Sequence, residues 1–402
     1  MRGPYILELG REQDVLRQFS EIGCDPQSYQ IMLKKSKIIP LFLKEVKSPA
    51  ANILKQQMLS LGGEAVVGRG VINHSQEYSD VLLLGTIKEY ELLVGKLWQQ
   101  PWGLKTLAEK IKSLLTNLGV KNCVTWEWSE HKLILGSKVK VMGILNVTPD
   151  SFSDGGKYKE PAQAIEHAWK MVEEGADIID LGGESTRPGF MPVSSEEELK
   201  RVLPVLEKLL LEKLPVPISL DTYKAEVAEE ALVMGVHIIN DVGGGLKDAR
   251  MAEVVAKFQV PVIIMHNSES GSYEDLIPDL VDSLAEQVQL YERAGLPSEK
   301  IVIDPGIGFG KDYQQNLEVL KKLKSLTILG KPMLLGVSRK SFIGEILNLP
   351  ASERLGGSLA AAAWGVMNDA DILRVHDVRE TVSLVKVLET IKKEAGSCEG
   401  IR

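Results

Sequence analysis

The chain has 402 residues, 44% hydrophobic and 25% charged, which excludes a disordered polymer and allows a large core or more than one domain. Its 47 basic and 55 acidic residues leave a net charge of −8, the wrong balance for a protein that wraps nucleic acid. Three widely separated cysteines with no CxxC pair exclude a zinc knuckle and a disulfide scaffold. The N-terminal stretch MRGPYILELGREQDV carries no apolar signal core, and no uncharged run approaches the ~18–20 residues that span a bilayer. The expected location is cytoplasmic.

In chain order, residues 1–121 read as a smaller α/β unit of unknown role. The pattern predicts a helix over 11–23, a strand over 37–46, a helix over 49–61, strands over 64–72 and 81–86, and helices over 88–98 and 103–117. Pro101 separates the last two. No nucleotide loop, metal cluster or nucleophile motif stands in this stretch, and the lone His74 reads as a turn residue. Residues 122–137, NCVTWEWSEHKLILGS, alternate as a hairpin that closes the bottom of the larger, second unit.

From residue 138 the pattern changes. Short apolar runs occupy 139–147, 176–183, 216–221, 235–242, 261–266, 300–306, 331–338 and 370–376. Helical stretches lie between and after them, at 161–175, 194–211, 224–234, 248–258, 274–295, 313–324, 352–368 and 378–395. Continuous Val- and Ile-rich runs suit a parallel sheet buried on both faces. Eight such runs, each followed by a helix, predict a (β/α)₈ TIM barrel over 122–402. The alternative, an open doubly wound sheet, would show a first-turn dinucleotide fingerprint, which is absent.

Nearly every apolar run ends in polar residues: Asn146, Glu184 to Arg187, Asp221, Asn240 and Asp241, His266 and Asn267, Asp304, Ser338 to Lys340, and Arg374, His376 and Asp377. One polar strand end is an ordinary turn. In a barrel, all strand ends open on one mouth, so this series marks a site. Two runs stand out, VMGILNVTPDSFSDGG (141–156) and IIDLGGESTRPG (178–189), long polar loops of the kind that carry function. The glycine-rich GIGFGK (306–311) lacks the spacing of a nucleotide P-loop.

With SLDTYK (219–224), IINDVGG (238–244), DPGIGFGK (304–311), GVSRKSFIG (336–344) and LRVHDV (373–378), these runs make seven motifs in order. Together they resemble the dihydropteroate synthase family of the folate pathway, over roughly residues 124–402. The resemblance implies the same barrel, condensation of a dihydropterin-6-ylmethyl diphosphate with p-aminobenzoate, assistance by Mg²⁺, a homodimer, and sensitivity to sulfonamides. It assigns Asp221, Asn240, Asp304 and Lys340 to the pterin, with Met265 and Phe309 packing against it. Arg374, His376, Thr186 and Arg187 fall to the diphosphate, and Asn146 to Mg²⁺. The p-aminobenzoate pocket draws on Phe152, Thr186, Pro188, Phe309, Lys340 and Ser341, with the carboxylate at Ser341 and the helix after it. Asp154 matches a residue of the closed state. The implied mechanism is dissociative, with Asp221 and Asp304 stabilising positive charge.

Because Asp221, Asn240, Asp304 and Lys340 end strands while Phe152, Asp154 and Pro188 sit on loops, the pterin diphosphate is expected to bind first. Arg374 is expected to serve the diphosphate and not the pterin. One rival is a methyltetrahydrofolate–corrinoid methyltransferase, which needs no diphosphate ligands. The other is a catalytically dead barrel used as a scaffold, but none of the motifs is degraded.

Overall fold

Alternating Leu and Val in the first hundred residues build an antiparallel sheet. The computed structural model describes residues 7, 9, 12–117, 123–147, 160–184, 192–268 and 271–394. The chain divides into two compact units, one of residues 1–120 with 392–402 and one of residues 121–391. In the first unit, β1 (Ile39–Lys47), β2 (Glu64–Val67) and β3 (Tyr78–Gly85) pair antiparallel in the order β1-β3-β2. The register of β1 against β3 shifts between Leu43 and Val46, a bulge at which Glu45 takes a positive φ of 49°.

One face of this sheet packs on helices Ser48–Ser60, Ile87–Leu97 and Leu104–Asn117, around Leu54, Met58, Leu83, Leu93 and Ile111. Tyr90 is fully buried there and donates its hydroxyl to the carbonyls of Ile39 and Leu83, at 2.7 and 3.0 Å. Thr86 and Glu89 form a reciprocal capping box at the start of the second helix. The strand expected over 64–72 is shorter in the structure: it ends at Val67, before Gly68, and a 3₁₀ turn over Arg69–Val71 follows.

In the second unit, β4 (Val124–Glu127) and β5 (Lys132–Leu135) form the expected hairpin. Eight parallel strands follow: β6 (Lys140–Asn146), β7 (Ile178–Gly182), β8 (Ile218–Asp221), β9 (Ile238–Asp241), β10 (Val262–Met265), β11 (Ile301–Asp304), β12 (Leu334–Leu335) and β13 (Ile372–Val375). They hydrogen-bond in the order β11-β10-β9-β8-β7-β6-β13-β12, and a parallel bridge between Ile303 and Met333 joins the two ends. The sheet therefore closes as a barrel with helices outside. β12 is only two residues long, so the apolar run 331–338 is mostly loop. The helix expected to follow Ser341 is a short one, Ser341–Leu347, and precedes the longer helix expected over 352–368.

Strand periodicity sorts the side chains. Ile179, Leu181, Ile239, Ile264, Ile303 and Leu373 point out into the core shared with the helices. Met142, Ile178, Ile238, Ile263, Val302, Leu334 and Ile372 point in, and Val124, Trp126, Leu133 and Leu135 of the hairpin plug them from below. Trp126 donates its indole N–H to the Glu299 carbonyl at 2.9 Å, which fixes the plug.

Candidate active site

Two residues further along each strand, the inward position lies one layer nearer the carboxyl ends. From the bottom layer Ile178, Ile238, Ile263, Val302, Leu334 and Ile372, this step reaches Asp180, Asn240, Met265, Asp304, Gly336 and Arg374. On β8 it leads from Ser219 to Asp221. A floor apolar except for Ser219 thus carries a mostly polar layer, all of it within one barrel. Asp180, Asp221, Asn240 and Asp304 are buried, and Met265 is 2% exposed.

Arg374 organises this layer. Its Nε donates to Asp180 Oδ2 at 2.6 Å, and a terminal nitrogen donates to Asp221 Oδ2 at 2.5 Å. The same Asp180 oxygen accepts from Asn240 Nδ2 at 3.1 Å. Burial works against the Arg374 charge, but Asp180 and Asp221 outweigh it and hold the guanidinium charged. Asp180 was not anticipated as a site residue. Its signal was the second of two carboxylates in the apolar run ADIIDLGG, masked by the polar residues at the run ends. Arg374, expected to serve the diphosphate and not the pterin, is in this structure the direct partner of Asp221, a carboxylate that the resemblance assigns to the pterin.

Burial pushes the Asp221 carboxyl up, to about 7, while Arg374 pulls it back. Burial also raises Asp304 to about 6, against the Gly306 N–H that donates to its Oδ1 at 2.7 Å and the nearby Lys340 and Arg374 charges. Lys340 is lowered to about 8 by burial and by Arg374. Its ammonium stands over the Phe309 ring, 4.2 Å from the centroid. Two buried acceptors of the layer, Asp180 Oδ1 and Asn240 Oδ1, have no hydrogen-bond partner among the described residues. An unpaired buried acceptor costs about 1–3 kcal/mol, so the layer is built for a ligand with N–H donors.

His376 follows β13, and its backbone N–H and Nδ1 both lie within 3.2 Å of Ser338 Oγ. Ser341 is exposed and opens the helix Ser341–Leu347, a short element with little macrodipole to offer an anion. Asn146 ends β6; a Cβ on Gly182 would meet its Oδ1 at 3.3 Å, so the amide lies across the space that glycine leaves open. Among the described residues no cluster of three or more His, Cys, Asp or Glu could hold a metal. One amide oxygen at a strand end suits a hard cation carried mainly by substrate oxygens and water. Phe152, Asp154, Thr186, Arg187 and Pro188 lie outside the described residues.

The start of the second loop is anchored by charge. Lys224 Nζ donates to Glu184 Oε2 and to Glu198 Oε2, and Tyr223 donates its hydroxyl to Glu184 Oε1 at 3.3 Å. Glu198 reads from the sequence only as a helix-capping acid, yet its side chain is 1% exposed.

Residues 142–376 match the pterin binding enzyme family. The dihydropteroate synthase of Clostridium beijerinckii is 49% identical over 258 residues, 64% of this chain and 96% of that protein. A probable bifunctional folylpolyglutamate synthase/dihydropteroate synthase of Halobacterium salinarum is 40% identical over 359 residues, 87% of this chain but 42% of its own length. Among solved structures, a Clostridium difficile dihydropteroate synthase determined with pteroic acid is 50% identical, with a TM-score of 0.63 over 64% of this chain and 98% of that one. A Xanthomonas albilineans dihydropteroate synthase with 4-aminobenzoic acid is 40% identical, with a TM-score of 0.65 over 68% and 99%. With a family match over more than half its length, and 40–50% identity across nearly the whole of the Clostridium and Xanthomonas proteins, the chain belongs to the pterin-binding enzymes, among the dihydropteroate synthases.

Proposed function

We propose that the barrel joins (7,8-dihydropterin-6-yl)methyl diphosphate to 4-aminobenzoate, giving 7,8-dihydropteroate and diphosphate. The observation that carries this reading is the buried polar layer, with its unpartnered acceptors on Asp180 and Asn240 and its carboxylates on Asp221 and Asp304. A flat heterocycle edged with N–H groups satisfies such a layer, and Met265 supplies an apolar contact. Lys340 donates to the acceptor side of the ring. In the reaction the methylene C–O bond breaks first and its electron pair leaves with the diphosphate. Asp221 and Asp304 stabilise the cation left on the pterin, electrostatic catalysis in a site shielded from water. The amine of 4-aminobenzoate then supplies the pair for the new C–N bond and gives up a proton.

Arg374 has five N–H donors, of which Asp180 and Asp221 take two, so it can bridge the pterin acids and the diphosphate. His376, Thr186 and Arg187 complete the diphosphate side. Asn146 would hold Mg²⁺, which when bound neutralises diphosphate charge. Phe309, Lys340 and Ser341, with Phe152 and Pro188, would hold 4-aminobenzoate, and Asp154 would act with them in the closed state. The pterin diphosphate binds first in this scheme.

We further propose a cytoplasmic homodimer. Ile346, Leu347, Leu355, Trp364 and Met367, all exposed on neighbouring barrel helices, give an apolar face for a second copy. No described helix is long and apolar enough to cross a membrane. Formation of 7,8-dihydropteroate from the two substrates, followed by mass, tests the reaction, and absence of that product overturns it.

A further inference from the structure

Lys311 closes the motif DPGIGFGK, yet the reaction above gives it no task. Its side chain folds back beneath its own loop. Nζ donates to the carbonyls of Gly306 and Phe309, both at 3.1 Å, and meets His266 Nδ1 at 3.0 Å. Burial pushes Lys311 down to about 7, against the pull of Asp304, and in its ammonium form its three protons match these three acceptors. His266 is 4% exposed, and burial together with the Lys311 charge pushes its ring down to about 4, so the ring is neutral. With Nδ1 accepting, the ring proton belongs on Nε2.

The loop is pressed against the end of β10. Gly306 and Gly310 have positive φ of 65° and 55°, and a Cβ on them would sit 1.9 Å from the His266 carbonyl oxygen and 2.0 Å from that of Ser268. Tyr273 donates its hydroxyl to the Gly310 carbonyl at 2.9 Å, and Asn316 Oδ1 accepts the Gly308 N–H at 2.6 Å. At the centre of this clasp is Phe309. Its N–H donates to the Gly306 carbonyl at 3.1 Å, its own carbonyl accepts from Lys311, and its ring lies under the Lys340 ammonium. Among the described residues Lys311 makes no salt bridge to a carboxylate. A buried ammonium without one is costly, and a methionine would fill the space more cheaply, so stability alone does not account for it.

We propose that Lys311, with neutral His266 as its acceptor, is a positioning residue for the 4-aminobenzoate half of the site, holding the Phe309 ring in register with Lys340. This rests on the synthase reading above. Phe309 and Lys340 also border the pterin, but Asp221, Asn240 and Arg374 are held by strands and by each other, so the clasp bears far more on 4-aminobenzoate than on the pterin.

The test uses the full chain with Lys311→Met, His266→Leu and His266→Asn, the last keeping an acceptor near the place of Nδ1. Calorimetry gives the Kd of 6-hydroxymethylpterin, steady-state kinetics give KM and kcat for 4-aminobenzoate, and ¹⁵N spectra give the His266 tautomer. Lys311→Met and His266→Leu should raise KM for 4-aminobenzoate at least ~10-fold while the pterin Kd stays within ~3-fold, and His266→Asn should recover most of the loss. An unchanged KM, a parallel rise in Kd and KM, or no recovery in His266→Asn would overturn the proposal. If Lys311→Met does not fold, the two His266 variants decide. Wild-type His266 should carry its proton on Nε2, and a proton on Nδ1 would break the clasp. A wild-type enzyme inactive with both substrates would instead sink the synthase reading, and the tautomer would still judge the clasp.

Discussion

Arg374 carries more of the site than its strand-end position suggests, because it neutralises two buried carboxylates at once. Arg374→Ala should cost about 3–5 kcal/mol of stability, the scale of a buried ion pair left with one partner. It should also weaken free 6-hydroxymethylpterin along with the pterin diphosphate. Calorimetry with both ligands checks this, and loss confined to the diphosphate would restore the narrower role. The raised carboxyls give a pH signature. Asp221 and Asp304 accept N–H donors as carboxylates, so pterin affinity should be full above about pH 7 and fall as the pH drops through 7 to 6. For the empty protein the sign reverses. A carboxyl whose folded pKa lies above its unfolded value costs stability once it must ionise in the fold. Asp304→Asn should therefore stabilise the empty protein by about 1–3 kcal/mol at pH 8, with the gain vanishing below about pH 4. Thermal unfolding at the two pH values measures it.

At the scale of elements, the hairpin β4–β5 is the floor on which the polar layer rests. Trp126→Ala removes a 3% exposed indole and should cost about 3–5 kcal/mol. The pterin Kd should stay close to wild type where the variant is folded, because the site begins one layer above; denaturant unfolding and calorimetry separate the two effects. The eight barrel strands were legible because a strand buried on both faces needs an unbroken apolar run. That continuity also hid the inward alternation, so Asp180 passed as core while Asp221 and Asp304 at run ends were visible. β12 shows the opposite failure: KPMLLGVS reads as a full strand, but only Leu334 and Leu335 pair in the ladder. The Lys311–His266 contact joins residues 45 apart in sequence, and no local pattern announces such a pair. The roles expected of Asp221, Asn240, Asp304 and Lys340 came from resemblance and not from periodicity; the structure brings the first three into one buried layer, with the Lys340 charge close enough to act on Asp221 and Asp304.

Across the whole molecule, the two units have separate cores. The Halobacterium relative covers 87% of this chain, more than residues 121–391 can supply, so the similarity extends into the N-terminal unit. A fragment starting near residue 121 should fold and turn over substrates at a rate close to that of the full chain. An insoluble or inactive fragment would show that the N-terminal unit completes the enzyme. The barrel is proposed to couple two substrates at one polar layer. The direct measurement is diphosphate release by the full-length protein, with the pterin diphosphate and 4-aminobenzoate supplied together and then singly, in Mg²⁺. Release should occur only when both are present, equimolar with 7,8-dihydropteroate. Equal release from the pterin diphosphate alone, or none with both, would rule this coupling out.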